Sequence, residues 1–183
     1  QCYSLYPAKI FGTLGNAGMV TTNDDELANK VSNLRANYRF SEDLDYGMNF
    51  EPDNIWAAVL NVRKKYLLEY IKRRAEIAEK YDEGLKDLPI ILPLKQNGRV
   101  YQDYTLRIPE RKEEFLQYLR DNEVGFLGHN VPYYPDHKKL NLNFDLPKTK
   151  LYLQQQVRIP LHPYLIDEEQ DYVIKVIRSF YEK

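Results

Sequence analysis

Cysteine is almost absent from this 183-residue sequence: Cys2 is the only one, so no disulfide can form within the chain. That suits a reducing compartment and a cytoplasmic location. Three scattered histidines and one thiol offer no metal-ligand spacing, so no metal is expected. Eight glycines exclude a collagen-like repeat. No apolar run approaches the roughly 18 residues of a membrane-spanning helix, so no membrane is expected as a partner. An excess of either charge is also lacking. With 26 basic and 27 acidic residues the net charge is −1, which leaves no electrostatic footprint for nucleic acid. Three short basic clusters, Arg63-Lys64-Lys65, Lys72-Arg73-Arg74 and Lys138-Lys139, have acidic neighbours, and the first two read as the solvated face of a helix.

What is present is enough for a core. Hydrophobic residues make up 43% of the chain, with 16 Tyr and 7 Phe and no low-complexity run. A chain of this size buries roughly 70% of its unfolded surface. The pattern predicts an α/β protein. A buried strand over 17–22 is entered through Gly12, Gly15 and Gly18, and Asn23-Asp24-Asp25-Glu26 caps a helix with Leu27, Val31 and Leu34 on one stripe. Pro52 opens a helical period that runs to about Glu83, long enough to imply a kink or a span between domains. Strands over 89–92 and 100–108, joined by a turn at Asn97-Gly98, precede a helix over 110–122 with Phe115, Leu116 and Leu119 inward. A strand over 124–127, a long loop over 130–150 and a strand over 157–161 follow. Asp167 then caps a last helix, with Gln170 completing a capping box and Tyr172, Val173, Val176, Ile177 and Phe180 as its core face.

The chemistry has to come from particular residues. The opening run Ser4-Leu5-Tyr6-Pro7-Ala8-Lys9 sets a lysine among apolar and aromatic groups, ahead of a glycine-rich turn. A lysine that loses solvation becomes available as a nucleophile, which is what a Schiff base with an aldehyde cofactor requires. A hydroxyl five residues earlier and glycine-exposed amides could hold a phosphate. On residues alone, Lys9 reads first as a surface lysine beside a turn, since lysine is rarely buried. Cys2 reads as a small buried hydrophobe rather than a nucleophile.

The run resembles the Ser-Phe-Tyr-Pro-x-Lys segment of the DegT/DnrJ family of pyridoxal-phosphate-dependent sugar aminotransferases. The likeness continues through Val20-Thr21-Thr22-Asn23-Asp24, Leu34-Arg35, Gly47-Met48-Asn49 to Ala57-Ala58-Val59-Leu60, Arg73-Arg74-Ala75-Glu76-Ile77-Ala78 to Tyr81, and Ile159-Pro160-Leu161-His162-Pro163. The resemblance implies that Lys9 carries the cofactor as a Schiff base and that Ser4 contacts its phosphate. It also implies that Asn49 reaches the cofactor phosphate of a neighbouring subunit in a homodimer, and that His129, with Tyr133 beside it, lies by the sugar-nucleotide pocket; His129 reads equally as a loop histidine with aromatic packing around it. His137 and His162 read as structural or solvated. Departures stand at Ala36 for Asn, Met48 for Tyr, Glu51 for Arg, Trp56 for Gln and Asn16-Ala17 for Asp-Gly. The retained lysine argues against the family's dehydratase branch.

The resemblance implies an aminotransferase that moves an amino group from glutamate to a nucleotide-linked keto-sugar, in amino sugar biosynthesis, through pyridoxal 5'-phosphate on Lys9. Because the chain opens at Gln1 and eight residues before Lys9, the expectation is the C-terminal half of a fold-type I enzyme, incomplete on its own. Residues 1–51 would be the remnant of the large cofactor domain. Residues 52–183 would be a long connecting helix and a small α+β domain. Two alternatives remain open: a non-catalytic binding or dimerisation module derived from this fold, and a fold-type I desulfurase or lyase acting on amino acids.

Overall fold

The computed structural model describes residues 1–39, 47–128 and 144–182. The chain divides into two compact units, Gln1–Glu69 and Tyr70–Lys183.

In the first unit, strand β1 (Cys2–Ser4) pairs antiparallel with β2 (Gly18–Val20), Tyr3 opposite Met19. β1 was not anticipated by the sequence pattern, and it leaves Cys2 exposed rather than buried. Helix α1 (Asp25–Arg35) starts as predicted: Asp24 Oδ1 accepts from the Leu27 amide at 3.0 Å, and Asp25 and Glu26 sit at the positive end of the helix dipole. No residue of α1 is buried, so its apolar stripe faces an open groove with Met19, Val20 and Phe50.

The long helix expected over 52–83 is interrupted. It runs as α2 (Asn54–Arg63), a single tight 3₁₀ turn (Lys64–Tyr66) and α3 (Leu67–Leu85). An apolar period counts helical turns but does not mark where bonding to the fourth residue gives way to bonding to the third.

The second unit is built on a three-stranded antiparallel sheet in the order β3 (Tyr104–Arg107), β5 (Gln156–Ile159), β4 (Leu127–Gly128), with Leu106 opposite Val157 and Leu127 opposite Arg158. Tyr104, Leu106, Val157 and Ile159 are buried with Ile77, Ala78, Tyr81 and Leu85 of α3, Phe115, Leu116 and Leu119 of α4 (Lys112–Asp121), and Val173, Val176, Ile177 and Phe180 of α6 (Asp167–Tyr181). The Phe115 and Phe180 rings meet edge to face at 5.3 Å. The inward faces predicted for the helices that became α4 and α6 are thus found, with one exception. Tyr172 lies half in solvent and donates its hydroxyl to Asn122 O at 3.0 Å.

Further expectations differ. The segment 89–92 forms only a bridge, Ile91 to Arg107, while strand structure in 100–108 is confined to β3, because Tyr101 and Gln102 turn their carbonyls to Arg74. The strand expected over 124–127 is the two-residue β4. Of the loop expected over 130–150, residues 130–143 lie outside the described residues, and its end is the start of helix α5 (Pro147–Gln155), with Pro147 in the first turn, where its missing amide costs nothing. At α6 the N-cap is Ile166, whose amide donates to Glu169 at 3.3 Å, one residue earlier than expected. Gln170 is not a capping residue but is fully buried, donating to Ile77 O at 2.7 Å.

Two phenols in this core carry a pH signature. Tyr81 donates to Pro160 O at 2.9 Å and Tyr104 to Asp82 at 2.7 Å. Burial pushes both well above the ordinary tyrosine value of 10.0, and the Asp82 carboxylate pushes Tyr104 further the same way. Burial raises Tyr181 to about 12. A raised pKa in the folded state means the contribution is fully present below the unfolded value and is lost as pH climbs past it. Two phenols that cannot ionise in the fold should therefore cost about 3 kcal/mol of stability per pH unit above roughly pH 10. The check is the urea midpoint of the second unit at about pH 9 and about pH 11. An unchanged midpoint would contradict the burial of these phenols.

Candidate active site

The Lys9 turn is pinned at its base. Where β1 ends, the Leu5 amide donates to Ala17 O at 3.0 Å, extending the ladder by one bond. Leu5 O accepts from the Thr13 amide at 2.8 Å and from the Thr13 hydroxyl at 3.1 Å, so residues 6–12 leave and return at a single point. Thr13 is fully buried, and its hydroxyl also accepts from the Gly15 amide at 3.3 Å. Inside the turn the Lys9 amide donates to Tyr6 O at 2.9 Å, and the Tyr6 amide donates to Ser4 Oγ at 3.4 Å. Gly12 closes the loop so tightly that a Cβ there would lie 2.2 Å from Tyr6 O, a contact only glycine escapes.

Lys9 and Ser4 are both exposed. The desolvation that the sequence suggests for Lys9 is therefore not supplied by its own turn. The turn supplies placement instead: an amine at the outer end of a short closed loop, with the Ser4 hydroxyl at the loop's entrance.

Asn49 is placed on a different stretch. It bridges antiparallel to Ala36, between the Met48 amide donating to Leu34 O at 2.8 Å and the Phe50 amide donating to Arg35 O at 3.0 Å. It is exposed in a polar recess with Arg35, Arg39, Glu51, Asp53 and Asn54. Arg35 lies 3.8 Å from Glu51, so the acid that replaces the family's usual Arg partly neutralises this recess. His129, Tyr133 and His137 lie outside the described residues. His162 is exposed.

Two basic clusters are only in part the solvated faces they resemble in sequence: Lys64, Lys65 and Lys72 are exposed, while Arg63 and Arg74 are not. Arg63 is half-buried and donates from Nη1 to Gly12 O at 2.8 Å. Arg74 is buried, and desolvation lowers its pKa. Its Nη1 donates to Tyr101 O, Gln102 O and Leu161 O at 3.2, 3.1 and 2.9 Å. The available signal for Arg63 was its spacing of seven from Trp56, which puts both on one face of α2. Trp56 packs on the glycine turn, where a Cβ on Gly15 would lie 2.6 Å from its ring.

The fold is shared with solved aminotransferases: a DegT DnrJ EryC1 StrS aminotransferase from Brucella abortus superposes on all of this chain and 51% of its own with a TM-score of 0.89 at 28% identity. DesV of S. venezuelae, whose structure is described as a complex with a ketimine intermediate, superposes on all of this chain and 51% of its own with a TM-score of 0.90 at 29% identity. The model of the DegT/DnrJ/EryC1/StrS aminotransferase family matches residues 1–178, and the chain belongs to that family. Curated relatives include a dTDP-3-amino-3,4,6-trideoxy-alpha-D-glucose transaminase of Micromonospora megalomicea, 31% identical over 97% of this chain and 51% of the relative. A pleiotropic regulatory protein of Geobacillus stearothermophilus is 30% identical over 98% of this chain and 51% of its own length. The chain spans about half the length of the curated relatives it matches.

These matches correct the expectation of a C-terminal part of a fold-type I enzyme, inactive alone, with a non-catalytic module as its alternative. The family model takes in residues 1–178 and the superposition covers the whole chain, so family sequence and fold run through both units, the Lys9 turn included.

Proposed function

We propose that the protein is a pyridoxal-phosphate-dependent aminotransferase that takes an amino group from glutamate and delivers it to a nucleotide-linked keto-sugar. The observation that carries the reading is Lys9 at the tip of a turn closed by Gly12, within a chain matched by the aminotransferase family over residues 1–178. The donor set fits the cofactor: an exposed primary amine suits an aldehyde, and a hydroxyl at the turn's entrance suits a phosphate. Bound pyridoxal phosphate supplies an electron sink for the carbon that loses or gains a proton. Lys9 Nζ holds the cofactor and then carries that proton between carbon and nitrogen as general acid and base. Ser4 Oγ orients the phosphate, and Asn49 of a second copy of the chain does so from across a homodimer. His129 and Tyr133 contribute to the sugar-nucleotide pocket. The relative from Micromonospora megalomicea, named for a dTDP-amino sugar, supports the substrate class.

The test is to load the protein with pyridoxal phosphate and add one amino acid at a time. Glutamate should convert the cofactor to its amine form, seen as loss of the visible absorption band. Cysteine should leave that band unchanged. Conversion by cysteine with release of sulfide would favour a desulfurase instead. The glutamate-treated protein should then return to its starting spectrum with a nucleotide keto-sugar, yielding an amino sugar by mass spectrometry.

A further inference from the structure

Helix α2 touches the Lys9 turn at two points. Trp56 and Arg63 stand two helical turns apart on one face of α2. The Trp56 ring lies against Gly15, so close that a Cβ there would approach it to 2.6 Å. The Arg63 guanidinium donates to Gly12 O at 2.8 Å. Gly12 and Gly15 flank Thr13, the buried residue that closes the base of the turn on Leu5. One end of the loop is thus held by the β1–β2 ladder, and the other is held by α2.

We propose that Arg63 and Trp56 are positioning residues for Lys9: α2 clamps the glycine end of the turn and thereby fixes where the Lys9 amine stands. This rests on the reading that Lys9 receives the cofactor. The physical argument is that the ladder alone anchors residues up to Leu5 and Thr13, while Gly12 has no side chain to hold it. A guanidinium is suited to the task because it donates to a carbonyl with its full charge, in a half-buried setting where solvent screens it less than at the surface. Trp56 contributes by excluding water from the Gly15 side, where the family's usual Gln would offer a polar side chain instead.

The experiment compares the wild type with Arg63→Ala, Arg63→Lys, Trp56→Gln and, as a control, Lys65→Ala. Two quantities are measured. The first is backbone amide exchange, which needs no cofactor. The second is the rate of borohydride-trapped labelling by pyridoxal phosphate, mapped to individual lysines. Arg63→Ala should speed exchange at the Lys9 and Thr13 amides by about tenfold, leave β1 and β2 unchanged, and slow labelling at Lys9 by a similar factor. Arg63→Lys should recover much of both, since an ammonium can donate to the same carbonyl. Trp56→Gln should speed exchange at Gly15. Lys65→Ala should change neither quantity. Unchanged exchange in Arg63→Ala overturns the clamp. Faster exchange with unaltered Lys9 labelling overturns the positioning role. Wild-type labelling at other lysines alone overturns both this proposal and the cofactor reading, and it is recognised before any variant is made.

Discussion

Replacing Lys9 by alanine is expected to abolish covalent capture of pyridoxal phosphate and to slow glutamate-dependent conversion by about a thousandfold or more. The size follows from the two roles placed on one amine. Without Nζ the cofactor has no covalent hold, and the proton has no carrier between carbon and nitrogen. Lys9→Arg should behave similarly, since a guanidinium does not give up its proton near neutral pH. Because Lys9 is exposed and bonds to Tyr6 O through its backbone amide, which both variants keep, neither substitution should unfold the first unit. An unchanged thermal midpoint together with lost capture separates a chemical role from a structural one. If Lys9→Ala retained wild-type conversion, the lysine would be an ordinary surface residue beside a turn.

The second large effect concerns the other unit. Arg74→Ala should destabilise Tyr70–Lys183 by about 3 kcal/mol. Its guanidinium is the donor to three carbonyls, those of Tyr101, Gln102 and Leu161. Alanine would leave these oxygens without that donor and open a space in the core too small for full relaxation. A charge beside Asp103 offsets part of the cost of burying Arg74, although desolvation is the larger effect on its pKa. Arg74→Lys should recover only part of the loss, because the ammonium sits on a shorter stem and is more strongly hydrated than a guanidinium, so burying it costs more. Urea unfolding followed by tyrosine fluorescence measures it. A loss below about 1 kcal/mol would mean that water replaces the side chain at little cost.

The sequence made some parts of this molecule legible and concealed others for definite reasons. The cap at Asp24, the inward faces of α4 and α6, and the lysine run itself are local: each depends on residues within a turn or two of one another. The break at Lys64–Tyr66 is not marked by any glycine or proline, and the apolar period passes straight through it. Gln170 sits three residues after an acidic residue, as a capping partner would. Its partner is instead Ile77 O, which only the packing of α6 on α3 brings near.

Arg63 and Arg74 were hidden in the same way. In sequence they belong to basic runs that look solvated. Each becomes half-buried or buried because a glycine turn or a strand end presents carbonyl groups to its guanidinium. Which carbonyls remain is settled by tertiary structure. Residue type near a lysine therefore pointed to the chemistry, while the groups that hold that lysine in place could be found only once α2 was seen against the turn.

The most direct test of the central claim is to incubate the protein with pyridoxal phosphate, reduce with borohydride and map the modified peptides. The account predicts a single phosphopyridoxyl group on Lys9, suppressed when glutamate is added before reduction. Labelling spread over many lysines, or centred on a lysine other than Lys9, would contradict it.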